Sequence, residues 1–164
     1  MASRYAGAVL KRITKARGKS AGGRFAIVAS RYNSRYVDGM LRAAQRSLRQ
    51  AGADSIKIVR VPGAFEIPVV VAHLARNHRP APEAIICLGV ILRGETTHAQ
   101  HIGQAVSHAL ANLQVQSGIP IIHEVLLLES KEQAEVRCLS RDHNRGAEAA
   151  QTAVEMRGLM RGLH

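Results

Sequence analysis

Residues 83–92 read EAIICLGVIL, an unbroken apolar run behind a single acid. A strand with one face in water alternates polar and apolar residues; one without alternation is buried on both faces, as in the middle of a parallel sheet. The run is much too short to cross a bilayer. Immediately after it come Arg93, Gly94, Glu95, Thr96, Thr97 and His98. Ile102, Val106, Ala109, Leu110 and Leu113 then recur at helical spacing until Gly118, ahead of Pro120.

The same strand-then-helix unit repeats on both sides. Residues 25–30 (FAIVAS) form a short apolar strand, followed by a helical stripe of Val37, Met40, Leu41, Ala44 and Leu48 that stops at Gly52. Residues 55–61 form a second strand ended by Pro62-Gly63, and a helix over 69–76 follows, with Pro68 tolerable only near its first turn. Residues 121–128 form the fourth strand. Two helices, over 131–139 and 146–159, close the chain around a polar stretch at 140–145. Strands alternating with helices predict an α/β, flavodoxin-like three-layer sandwich with a four-stranded parallel sheet between helices.

At 164 residues the chain has room for one domain, which we place at 24–164 behind a basic tail at 1–23. The tail holds Arg4, Lys11, Arg12, Lys15, Arg17 and Lys19 and no acid. The remainder has 17 basic against 12 acidic residues, so the tail carries about half of the +11 net charge. With no apolar periodicity it reads as a mobile, solubilising arm; the sharper alternative is contact with nucleic acid. Aromatics make up only 3% of the chain, against a base-stacking groove. Two cysteines, Cys87 and Cys138, cannot build a disulfide framework, and with no secretory signal or membrane span the expected home is the cytoplasm.

In a parallel α/β sheet, ligands sit beyond the carboxyl ends of the strands. After strand three, Gly94 lets a backbone approach a ligand closely, and free amides at a helix start suit an anion. Thr96 or Thr97 is placed to cap the helix, with His98 in its first turn, where the positive end of a helix disfavours an imidazolium. Taken alone, such a segment is as often a plain cap with a surface histidine. After strand two, Ala64, Phe65 and Glu66 offer a small residue, a ring and an acid; Glu66 could equally just complement the helix dipole. After strand one, Tyr32 and Asn33 offer a ring and an amide, or an ordinary turn.

Arg137 and Arg145 add two planar cations suited to phosphate, or simply a solvated basic face. His98, His101 and His108 share a helix, but no cysteine or carboxylate cluster accompanies them, and we expect no metal. The phosphate-cradling, dinucleotide and nucleophile-elbow glycine motifs are missing, which removes support for nucleotide phosphate transfer, nicotinamide chemistry and serine hydrolysis.

Together these segments resemble the lumazine synthase family of riboflavin biosynthesis. The resemblance spans about residues 24–156. It rests on residues 31–33 (RYN), 61–66 (VPGAFE), 89–98 (GVILRGETTH), and Glu132-Gln133-Ala134 through Arg137 to Asn144-Arg145-Gly146. It implies a cofactor-free condensation of 5-amino-6-ribitylaminopyrimidinedione with 3,4-dihydroxy-2-butanone 4-phosphate, releasing phosphate and water. His98 would move protons, and Gly94, Glu95, Thr96 and Arg137 would hold the phosphate. Tyr32 stands at the family's stacking aromatic, beside Asn33; Ala64, Phe65 and Glu66 would line the pyrimidine and ribityl site, with Ile91 and Leu92 presenting backbone groups. Family members are pentamers with sites completed by the adjacent subunit, and some associate into decamers or hollow icosahedral shells. The short connection from Arg137 to Asn144 is like that of shell-forming members.

Two departures stand out. His123-Glu124 replaces the family's usual phenylalanine and glycine, so that His123 could stack on the pyrimidine or bring a second titrating group, and Arg145 replaces a common lysine. Two rival readings follow: a non-catalytic flavin- or lumazine-binding paralogue, and a shell protein whose arm meets polyanions. Neither accounts for phosphate- and proton-handling residues at successive strand ends.

Overall fold

A computed structural model describes residues 22–164. Four strands, β1 (Arg24–Ser30), β2 (Ser55–Val61), β3 (Ala84–Leu92) and β4 (Ile121–Leu128), alternate with five helices. The helices are α1 (Ser34–Gln50), α2 (Ile67–Asn77), α3 (His98–Ser117), α4 (Lys131–Cys138) and α5 (Arg145–Gly162), with a single 3-10 turn at Ala64–Glu66 ahead of α2. All pairings are parallel, in the order β2-β1-β3-β4. The predicted fold class is borne out, and the run at 84–92 is the inner strand its composition requires.

The two faces sort by the two-residue period of a strand. Phe25, Ile27 and Ala29 of β1, with Ile86, Leu88 and Val90 of β3, pack under α1, α4 and α5. Ala26 and Val28, with Ile85 and Cys87, pack under α2 and α3. Each large side chain buried there contributes about 1.5–3 kcal/mol from apolar transfer. The tightest helix contact is made by a missing side chain: a Cβ on Gly146 of α5 would drive into the carbonyl of Met40 on α1. Asn144 caps α5 by accepting from Gly146 N–H at 2.9 Å, and its amide donates to Cys138 O at 2.7 Å, tying the end of α4 to the start of α5.

The basic arm as far as residue 21 lies outside the described residues. Gly22 and Gly23 are bonded to the β2 side, Gly22 N–H to Gly52 O at 3.1 Å and Gly23 N–H to Asp54 Oδ2 at 2.7 Å. Among the described residues no helix is long and apolar enough to cross a membrane.

The strand order fixes where a ligand crevice opens. From β1 the chain moves outward to β2, then returns across the sheet to β3, so successive connections leave β1 and β3 in opposite directions. Beside β1, pairing of β3 ends at Leu88, whereas on the β4 side it continues to Leu92. Beyond Gly89, one backbone edge of β3 has no strand beside it.

Candidate active site

At that crevice the strand ends are stitched together by hydrogen bonds. Arg31 N–H donates to Val61 O at 2.8 Å and Tyr32 N–H to Pro62 O at 3.0 Å, holding the turn after β1 against the end of β2. Asn33 adopts the left-handed conformation (φ 56°), which asparagine tolerates better than most residues, and its side-chain amide donates to Val90 O at 2.7 Å. The amide expected to meet substrate is thus engaged across the gap between β1 and β3. Tyr32 is left 73% exposed.

Arg60, on β2, reinforces this rim. Its Nε and Nη2 donate to the carbonyls of Ala29 and Ser30 at 3.2 and 2.9 Å, and its Nη1 pairs with Asp38 of α1 at 2.7 Å. Sequence reading did not single it out, because a lone arginine in an edge strand looks like a solvated charge.

After β2, the 3-10 turn lays Ala64 over Gly89 of β3, where a Cβ would lie 3.5 Å from that of Ala64. Phe65 is 61% exposed. Glu66 accepts from Gly63 N–H at 2.9 Å, so one carboxylate oxygen closes its own turn and the other is left for a ligand hydroxyl.

After β3, Ile91 and Leu92 are half-buried beside the open edge, and Arg93 N–H continues the ladder to Leu128 O at 2.9 Å. Gly94, Glu95, Thr96, Thr97 and His98 are all exposed, and nothing lies within 4 Å of where a Gly94 Cβ would be. Thr97 takes the capping position of α3 without a side-chain bond, while Thr96 Oγ1 accepts weakly from His98 N–H at 3.4 Å. The start of α3 therefore keeps donors unspent, as an anion site requires. The three expected rims, at 32–33, 64–66 and 91–98, meet at one end of the sheet.

The remaining expected residues do not join that group within one chain. His123 and Glu124 lie opposite Cys87 and Leu88, several residues short of the strand ends. Along β4, Glu124 is four residues below Leu128, about 13 Å at strand rise. His123 faces α3: its Nε2 lies 2.8 Å from Ser107 Oγ, which donates to Gly103 O at 2.8 Å, and its Nδ1 accepts from Val125 N–H at 3.2 Å. With the hydroxyl proton spent on Gly103, Nε2 must carry the ring proton and donate to Ser107, which fixes the neutral tautomer. Burial lowers the His123 pKa from its ordinary value.

Glu124 faces the opposite way. Arg145 grips its carboxylate with Nε and Nη2 at 3.0 and 3.1 Å, while Arg145 Nη1 bonds Glu148 at 2.5 Å. Burial pushes Glu124 up to about 7, against the pull of the Arg145 guanidinium, and its field also feels Arg137. Arg145 is thus not a free phosphate fork. Its neighbour Arg137 is half-buried on α4. Among the described residues no three His, Cys, Asp or Glu groups stand close enough together to hold a metal ion.

The arrangement offers two parts. A rim with two exposed rings, open main chain, unspent helix amides and an imidazole suits a flat heterocycle and an anion. Near the edge strand, Arg137 and Arg145 on α4 and α5 form a separate arginine-bearing surface.

Comparison with known proteins places these residues in a family. The profile of 6,7-dimethyl-8-ribityllumazine synthase matches residues 22–161. A protein of that name from Xylella fastidiosa (strain 9a5c) is 40% identical over 147 residues, covering 88% of this chain and 94% of its own. Another, from Xanthomonas campestris pv. campestris (strain B100), is 40% identical over 139 residues, covering 84% and 89%. Among solved structures, a de novo designed Rossmann fold protein superposes with a TM-score of 0.41 at 11% identity, covering 68% of this chain and 90% of its own.

Proposed function

The chain belongs to the 6,7-dimethyl-8-ribityllumazine synthase family, and on that premise we propose how its rim works. The reaction condenses 5-amino-6-ribitylaminopyrimidinedione with 3,4-dihydroxy-2-butanone 4-phosphate, giving 6,7-dimethyl-8-ribityllumazine, phosphate and water. The observation that carries this reading is the exposed 94–98 segment at the open edge of β3, leading into α3 with His98 in its first residue.

The pyrimidine lies against Tyr32 and Phe65, its polar edge on the main chain of Ile91 and Leu92, while the ribityl hydroxyls reach Glu66 and Asn33 holds the Tyr32 turn in place. Phosphate sits at Gly94, Glu95 and Thr96, facing the amides at the start of α3. His98 accepts and returns protons as the amine adds to the ketone, as phosphate departs and as the ring closes. The largest gain comes from holding two substrates together, and from cations and amides aimed at the leaving phosphate.

Arg137, with Arg145 and His123, meets the rim of an adjoining subunit. This is supported by the place of His123 on edge strand β4, facing α3, and of Arg137 and Arg145 on α4 and α5, in the layer on the other face of the sheet. We infer a homopentamer, associating further into a shell, with no cofactor and no nucleic-acid partner. Two buried, unpaired cysteines suit the reducing cytoplasm.

Purified protein given both substrates should release phosphate and develop lumazine absorbance in step. Affinity for either substrate without phosphate release would make the chain a binder instead. Light scattering should give a mass of many pentamers; a lone pentamer peak across salt and pH would remove the shell.

A further inference from the structure

Glu124 is 7% exposed, on an edge strand whose other residues, His123 apart, are Ile, Val and Leu. A carboxylate so placed is costly unless its charge is matched, and deleting one partner of such a pair leaves the other stranded. Here the match is a planar fork: Arg145 offers Nε and Nη2 to the two carboxylate oxygens, and turns Nη1 to Glu148. Of the five N–H groups on a guanidinium, three are spent and two remain.

The groups that act on Glu124 are few. Arg145 and Glu148 come from α5, and Arg137 and Cys138 from α4. β3 sets only Leu88 beside it, and His123 on its own strand faces the other layer. Cys138, pushed up to about 12 chiefly by burial, stays a neutral thiol. With Glu124 ionised, Glu124, Arg145 and Glu148 sum to one negative charge, which cancels Arg137. With Glu124 protonated they sum to zero, and the positive charge of Arg137 is uncompensated.

We propose that Glu124 is a positioning residue for the phosphate-bearing substrate, gripping Arg145 within the electrostatic reach of Arg137 so that its ionisation sets the positive charge offered to the phosphate. The inference rests on the reading above, in which Arg137, with Arg145 beside it, meets the rim of the adjoining subunit where the phosphate sits. Burial places the carboxyl's change of charge near neutral pH, so phosphate is held more tightly below about pH 7 than above it. One charge near a protein surface changes such an affinity by roughly three- to tenfold.

The test compares wild type with Glu124→Gln between pH 6 and 8.5, reading KM for the butanone phosphate, kcat, and the affinity for inorganic phosphate by calorimetry. Ionisation of the phosphate itself is common to both proteins and cancels in the ratio. Wild type should lose roughly three- to tenfold more phosphate affinity than Glu124→Gln across that range, with kcat shifting little. Parallel profiles in two active proteins would overturn the proposal while leaving the reaction intact. Wild type that forms no lumazine would instead remove the reading beneath it, and calorimetry would still report whether phosphate affinity follows Glu124. Should Glu124→Gln not fold, Arg145→Lys takes its place: loosening the fork should raise the midpoint of the profile, and an unmoved midpoint would refute the idea.

Discussion

Asn33 reaches from the first turn beyond β1 to the main-chain oxygen of Val90 in β3, 2.7 Å away, and so closes the mouth of the crevice from within. The bond needs both an amide side chain and a left-handed backbone, a combination few residues supply. Asn33→Ala should therefore lose about 1–3 kcal/mol, from a carbonyl left unpaired and a strained backbone. Asn33→Gly relieves the strain but not the loss of the bond, and should fall between Asn33→Ala and wild type. Urea midpoints of the three proteins check the order, and Asn33→Ala matching wild type would show that the bond carries no stability.

His98 tests the chemistry without disturbing the fold, because its side chain is exposed at a helix start. His98→Ala should slow turnover about 10²- to 10⁴-fold, the usual yield of one proton shuttle, at unchanged melting temperature. Full activity in this variant would refute the role given to the ring.

His123 and Glu124 are neighbours with opposite pH signatures. The His123 pKa is lowered in the fold by burial, so the unfolded chain binds its proton more readily. Its stabilisation is present above the ordinary histidine value of about 6.5 and is lost as pH falls through the lower folded value. Glu124 is raised to about 7, so its stabilisation is full below the ordinary glutamate value and lost as pH rises through 7. Stability measured from pH 5 to 8 should lose its acid-side fall in His123→Gln and its alkaline-side fall in Glu124→Gln. Unchanged slopes in either variant would mean that the group does not titrate differently on folding.

Two glycines of α5 make a matched pair. Gly146→Ala should cost several kcal/mol or prevent folding, since its methyl would meet the main chain of Met40. Gly158, in the same helix, has open space where a Cβ would stand, and Gly158→Ala should gain about 0.5–1 kcal/mol. Thermal melts of both variants give the comparison, and equal effects would mean that the α1–α5 contact is looser than described.

What the residues disclosed follows from physics of different range. The strands and the rims at 32–33, 64–66 and 91–98 were legible because hydrophobic period and turn residues are local signals, and parallel topology puts successive strand ends together. Helix ends were less so: α5 runs to Gly162 rather than 159, since no glycine-plus-proline stop closes it. The engagements of Arg60, His123 and Glu124 were not legible, because each depends on a partner 16 to 31 residues away or on which face of a strand it takes. Glu124 was visible as a departure, yet the answering arginine at 145 could be matched to it only in space.

The register of β1 against β3 sets a timetable for synthesis. Phe25 lies opposite Ala84, so the second neighbour of the first strand is made some sixty residues after it. Until then the β3-facing edge of β1 stands uncovered, and nascent chains are exposed to mispairing at FAIVAS longer than at the β4-facing edge of β3, where Ile85 meets Ile121.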